Sequence, residues 1–385
     1  MINIPLHILA TLILLAVTPD GGNAPSNERR IKVGAAPGCV ESADLNKDAI
    51  SDLIVTNEKD TSVTILLGKG DGTFEESTGS PFPAGNGVND VAIGDYNRDG
   101  NLDLAFANHE RKYLTVLLGD GRGRFTAAPH SPFPVEVIPH THGVATGDFN
   151  GDKRPDLVTD SWGNDRVEVL FGDSLRGFKI PGRMFNVGKH PYQRLRVADV
   201  NLDGKDDILT TNLDGDNVTV LLCDGRGGFH EAQGSPFPCG NSPFGIAIGD
   251  VNRDGKPDLA IVNSPASTSD RTGTNGLTVM LGDGSGKFTR ANGSPFEAGA
   301  IPNRVAIGDV DGDGINDIVV SDNSSDRITL YRMTKNGTVG TASRITVGNH
   351  PKGITIADLN GDGKGEIVVC NNGDDDISII MSTQK

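Results

Sequence analysis

Seven times along this chain, roughly every 50 residues, an acid opens a nine-residue stretch with oxygen-bearing side chains at its first, third, fifth and ninth positions. The sets are Asp44, Asn46, Asp48 and Asp52; Asp95, Asn97, Asp99 and Asp103; Asp148, Asn150, Asp152 and Asp156; Asp199, Asn201, Asp203 and Asp207; Asp250, Asn252, Asp254 and Asp258; Asp309, Asp311, Asp313 and Asp317; and Asp358, Asn360, Asp362 and Glu366. In the second set the backbone carbonyl of Asn101 can join them. An all-oxygen cage on a tight loop suits a hard cation that tolerates irregular geometry, which points to Ca²⁺. An EF-hand opens the same way but ends in Glu at its twelfth position and is flanked by helices. Here the last acid is the ninth residue, and short apolar runs flank the loop. The expectation is therefore a strand–loop–strand hairpin holding a structural ion, up to seven in all. The sixth loop, with four acids, is expected to bind most tightly.

The elements that must position these loops follow from the period. One unit reads as an apolar strand, the ion loop, a second strand ending near Asn108, a polar loop, a third strand (Tyr113 to Leu118), a Gly-rich hairpin closed by Phe125, and S-P-F-P from Ser131 before an outer fourth strand. Several strands per 50-residue period indicate a propeller or a solenoid. The chain ends decide between them. The last unit stops after its third strand at Met381, and R-I-K-V-G-A-A-P at Arg30–Pro37 resembles the fourth-strand segments R-I-T-V-G-N-H-P and M-F-N-V-G-K-H-P. Ile31–Val33 would then complete the seventh unit and remove the exposed edges that a solenoid leaves. The expected fold is all-β: a seven-bladed propeller of four-stranded antiparallel blades over residues 30–385, closed by an N-terminal strand.

The net charge of −16 argues against a nucleic-acid partner. Most of that acidity belongs to the loops, and seven divalent ions would nearly neutralise it. The apolar run Ile8 to Val17 is too short to span a bilayer and has the length of a signal-peptide core. The sequence thus predicts a signal peptide over 1–24, a linker over 25–29, no transmembrane segment in the mature chain, and a secreted, periplasmic or cell-surface protein, expected to be monomeric. Cys39, Cys223, Cys239 and Cys370 match no zinc spacing and read as buried small residues; the alternative is a disulfide outside the cytosol, which the sequence cannot assign to a pair, although Cys39 and Cys370 could approach in a closed ring.

Taken together, the seven D-x-[ND]-x-D-x-x-x-[DE] loops, the V-T-I-L-L-G and L-T-V-L-L-G strands and the G-D-G-x-G-x-F hairpins resemble the FG-GAP or VCBS-type repeat, as in the propeller of integrin alpha subunits. The resemblance covers about residues 30 to 381. It implies that the ion loops lie on one face, and that ligands engage the opposite face, built from the loops between strands two and three and between consecutive blades. The pattern has departures: Ala49 and Lys153 stand where Gly is expected, so those two loops should be weaker or differently built. On the opposite face the sequence stops repeating. Trp162, His140, His142, His190 and Tyr192, with His109 and Arg166, would form one patch over blades two to four. His140 and His142 could bind a transition metal or act as acid and base, but no third ligand is evident in the sequence. Asn57, Asn108, Asn212, Asn263 and Asn371 end the second strands and read as local caps. With no G-x-S-x-G, H-E-x-x-H or phosphate-loop motif, the expected function is a binding or adhesion module for an extracellular glycan or protein. The alternative is a polysaccharide-lyase-like enzyme on the same scaffold.

Overall fold

A computed structural model describes residues 27–264 and 276–382. The signal peptide expected over 1–24 lies outside them. Among the described residues almost every element is a β-strand, and the helical content is a single 3₁₀ turn at Trp162–Asn164. Seven antiparallel blades follow one another, each running from an inner strand outward, and blade three carries an additional two-stranded sheet of Gly172–Asp173 and Gly177–Phe178. In blade two the order is Val88–Gly94, Asp103–Asn108, Tyr113–Gly119 and Phe125–Ala127. The second strands are buried along their whole length, as expected of strands covered on both faces. The core lies between blades. One cluster joins Ile54, Ile65 and Phe82 of blade one to Leu104, Phe106 and Phe125 of blade two. Another joins Val40, Leu53 and Val55 of blade one to Val368, Cys370 and Ile379 of blade seven, so first and last blades are neighbours.

The strand Glu28–Lys32 pairs antiparallel with Asp376–Ile380, with Ile31 opposite Ile377, and makes the outer edge of blade seven. It begins inside the segment read as a 25–29 linker and ends at Lys32 rather than Val33. The outer edge also departs from a simple fourth strand. In blades one, two and four it comes in two pieces on the same third strand: Phe125–Ala127 opposite Leu117–Gly119, then Phe133–Pro134 opposite Tyr113 and Leu114. The S-P-F segment is thus part of the outer edge and does not precede it. Its serine bridges the gap: Ser131 Oγ accepts the Val116 N–H at 2.9 Å, and Ser80, Ser235 and Ser294 do the same for Ile65, Val220 and Val279. Its phenylalanine packs edge-on against the hairpin phenylalanine of the next blade, Phe82 on Phe125 at 5.7 Å and Phe237 on Phe288 at 5.9 Å. The repeat's signature residues therefore hold each blade to its neighbour.

All four cysteines are free and buried. Among the described residues, no helix is long and apolar enough to cross a membrane.

Candidate functional site

The ion loops share one construction. Positions four and six both take left-handed backbone, for example Arg98 (φ 61°) and Gly100 (φ 84°), which lets the first acid collect N–H groups from the far side of the loop. Asp95 accepts the N–H of Asp99 at 3.0 Å and of Gly100 at 2.9 Å. Asn97 and Asp99 touch at 3.0 Å, so the third and fifth side chains converge. Ala49 and Lys153 do not change this plan. They adopt φ of 65° and 60° and donate to Asp44 and Asp148 at 2.9 Å, as Gly100 does to Asp95. The departure costs strain and leaves the geometry intact.

The ninth acid does more than line the cage. Asp103 is fully buried and accepts the Tyr96 N–H through one oxygen and the Gly119 N–H through the other, bracketing the loop to the end of the third strand. Asp52, Asp156, Asp207 and Asp258 repeat both bonds. Burial pushes these carboxyls up, Asp103 to about 6 and Asp156 to about 7. Hard oxygens converging on a loop whose acids are costly to ionise alone fit a calcium-type cation. The sixth loop differs. Asp309, Asp311 and Asp317 bring oxygens within 4.8 Å of one another, but the Arg332 guanidinium bonds Asp317 and lies 3.3 Å from Asp311. An ion there competes with a built-in cation, so the tightest binding expected from four acids does not follow.

On the opposite face, five second strands end in the anticipated asparagines, which cap locally. Asn57 donates to Ser62 and Thr64 at 3.0 and 2.9 Å, and Asn212 and Asn371 make the equivalent bonds. Asn108 and Asn263 accept from Thr115 and Thr278 instead.

Blade three breaks this pattern, and the site is built on the break. Its second strand, Asp156–Ser161, ends in Asp160 and Ser161. Asp160 takes the place held by Thr56, Ala107, Thr211, Val262, Ser321 and Cys370 in the other blades. Its Oδ1 accepts the N–H groups of His142 and Gly143 at 2.9 and 2.7 Å, and its Oδ2 lies 3.1 Å from His142 Nδ1. These bonds replace ladder pairing, and the inner strand shortens to Val144–Gly147. His142 is wholly buried. Its Nε2 stands 3.2 Å from His140 Nε2. The ring of His109, which follows Asn108 in blade two, lies 4.7 Å from His140 and 4.9 Å from His142. Tyr192 reaches His142 at 4.3 Å. Trp162 stacks on His190 at 4.6 Å and 15°, and its shielded indole Nε1 has no hydrogen-bond partner among the described residues. His190 is held by Asp165, which accepts its N–H at 2.8 Å, and by Asp214, 3.0 Å from its Nδ1. Burial and the neighbouring imidazoles lower the pKa of His109 and His140, which keeps those rings neutral.

Six of the seven residues expected on this face thus meet in one cluster. Arg166 stands apart, exposed and bonded through Nε to Asn186 on its own blade's outer strand. Asp160 was missed. Its signal was present in the aligned repeats, as the one charged residue at its position.

The chain matches the FG-GAP-like repeat at residues 44–106, 97–159, 199–261, 266–320 and 309–369, and it belongs to that family. It is 27% identical to cartilage acidic protein 1 of Homo sapiens over 160 residues, 39% of this chain and 21% of that protein. The Xenopus tropicalis cartilage acidic protein 1 is 28% identical over 188 residues, 45% of this chain and 26% of that protein. The match therefore spans about a quarter of the curated relatives' length. Among solved structures, BBS1N in its complex with ARL6DN superposes with a TM-score of 0.60 at 12% identity, covering 92% of this chain and 94% of that one. Virginiamycin B lyase from Staphylococcus aureus superposes at 0.55 with 14% identity, covering 91% and 98%. At such identities the likeness is one of fold.

Proposed function

We propose that this FG-GAP-like propeller is an exported binding module. Ca²⁺ in the ion loops stabilises it, and the face over blades two to four holds an extracellular glycan or protein ligand. The observation that carries the reading is Trp162. It is the chain's one tryptophan, stacked on His190, with an indole N–H that has no partner among the described residues, beside the Tyr192 and His142 rings. A part-exposed flat aromatic face amid histidine and tyrosine rings suits a sugar ring or a partner's side chain. The ion loops support the other half, because their ionised acids gain a partner when Ca²⁺ binds, so binding stabilises the fold.

A second reading is favoured by one specific observation. His142, oriented by buried Asp160 and next to Tyr192, has the parts of an acid–base pair for proton abstraction, as a lyase needs. Unsaturated product, followed by ultraviolet absorbance over a polysaccharide panel, would mark that activity. The binding reading is tested on a glycan and protein array at about millimolar Ca²⁺, the extracellular range. Wild type is expected to bind a member of the array and Trp162→Ala to lose it with an unchanged melting temperature. Equal binding by the variant removes this face from the account.

A further inference from the structure

Two chain segments that are distant in sequence are fastened together at the site. The Thr141 hydroxyl accepts the Asn108 N–H and donates to the Asn108 carbonyl, both at 3.1 Å. His109 follows Asn108, while His140 and His142 flank Thr141. One paired contact therefore fixes the origin of all three imidazoles. The Thr141 N–H also donates to the Arg111 carbonyl, and Asn89 holds the His142 carbonyl at 3.0 Å. The backbone under the cluster is set from both blades.

The chemistry of the three rings is also set. Asp160 Oδ2 receives the Nδ1–H of His142, so the His142 Nε2 lone pair faces the cluster. Two imidazole nitrogens bound to one tetrahedral ion at the usual metal–nitrogen distance stand about 3.3 Å apart. The His140 and His142 Nε2 atoms stand at 3.2 Å. The three histidines offer nitrogens that all lie within 4.8 Å of one another, so the half-buried His109 completes the set with a modest rotation. A carboxylate behind a ligating histidine is the usual support of such sites, since it fixes the ring and raises its basicity.

We infer that His109, His140 and His142 form a three-histidine site for a borderline divalent transition-metal ion, of which Zn²⁺ is the natural probe, with Asp160 as its positioning residue. Imidazole donors select such ions over Ca²⁺, whose loops on the opposite face offer only oxygen. Three protein ligands leave the fourth position open, and Trp162 and Tyr192 pack on the same imidazole rings. The site's existence does not depend on the ligand proposed above. If that ligand exists, an oxygen of it can take the open position.

The test is titration of the full chain with Zn²⁺, and with Co²⁺ for its visible spectrum, in excess Ca²⁺ to saturate the oxygen loops. Wild type is expected to bind one equivalent and to give the intense visible bands of a tetrahedral, nitrogen-ligated Co²⁺. His109→Ala and His140→Ala, both at incompletely buried positions, are expected to lose more than tenfold in affinity while melting like wild type without metal. Asp160→Asn is expected to weaken binding by roughly 10–100-fold. The titration is run with no glycan or protein ligand present, which separates failure of this site from failure of the ligand reading. No binding by wild type in excess Ca²⁺, or undiminished binding by His109→Ala and His140→Ala, overturns the inference.

Discussion

At the scale of single residues, Ala49 and Lys153 test how much geometry a Cβ can obstruct. Both hold left-handed backbone that a glycine adopts without strain, and both still donate to the first acid of their loops. That conformation costs an L-residue about 1–2 kcal/mol, partly offset in a glycine variant by the greater freedom of its unfolded chain. Ala49→Gly and Lys153→Gly are each expected to raise stability by about 0.5–1 kcal/mol in chemical denaturation, and Lys153→Ala to give no gain. A loss in both glycine variants would contradict the strain. The sequence marked the sixth position as special because five loops place Gly there. The fourth was less plain: Gly151, Gly312 and Gly361 mark it in three loops, but Lys47, Arg98, Leu202 and Arg253 take the same backbone with no glycine to announce it.

The ion loop is the element at which charge and fold meet. Its ninth carboxyl is buried, accepts two N–H groups, and is nonetheless pushed up to about 6 in Asp103 and about 7 in Asp156 because burial outweighs those bonds. A carboxyl whose folded pKa lies above its unfolded value of about 4 favours folding while protonated and loses that contribution as pH rises through the folded value. In chelator, melting temperature should therefore fall between about pH 4 and 7. Ca²⁺ competes with protons for the same oxygens. Adding it should reverse the fall near neutrality and have little effect near the acid end. Identical profiles with and without Ca²⁺ would remove the ion from the account. The loops were legible in the sequence because ligand spacing is local. The outer edge was less so: Ser131 reaches Val116 on the third strand of its own blade and Phe133 packs on Phe178 of the next, and neither contact is announced by local residue spacing.

Across the whole molecule, the seven inner strands meet near the axis, and charge accumulates there that no single repeat foretells. Arg194 of blade four lies 3.0 Å from Asp90 of blade two and donates to the Cys39 sulfur of blade one at 3.1 Å. Arg304 of blade six is 2% exposed, and none of its guanidinium nitrogens has a partner among the described residues. Burial, and then the Arg194 charge, lower its pKa to about 9. A buried, unpaired cation is destabilising, so Arg304→Leu is expected to raise the melting temperature. A fall would mean that the guanidinium is paired in solution. Blade number and ring order could be read from the period. The axial charges could not, because Cys39, Asp90, Arg194 and Arg304 come from four different blades and meet only once the ring closes. The patch holding His109, His140 and His142 was legible, but the convergence of three imidazole nitrogens within it was not.

The most direct test of the division of labour between the two faces is the affinity for an array-identified ligand, measured alongside the melting temperature in Ca²⁺ for two variants. Trp162→Ala should abolish binding and leave the melting temperature unchanged. The ion-loop double variant Asp95→Asn/Asp99→Asn should lower the melting temperature and leave affinity unchanged at a temperature where it is folded. Loss of affinity in the loop variant with full binding by Trp162→Ala would place function on the ion-loop face and contradict the account.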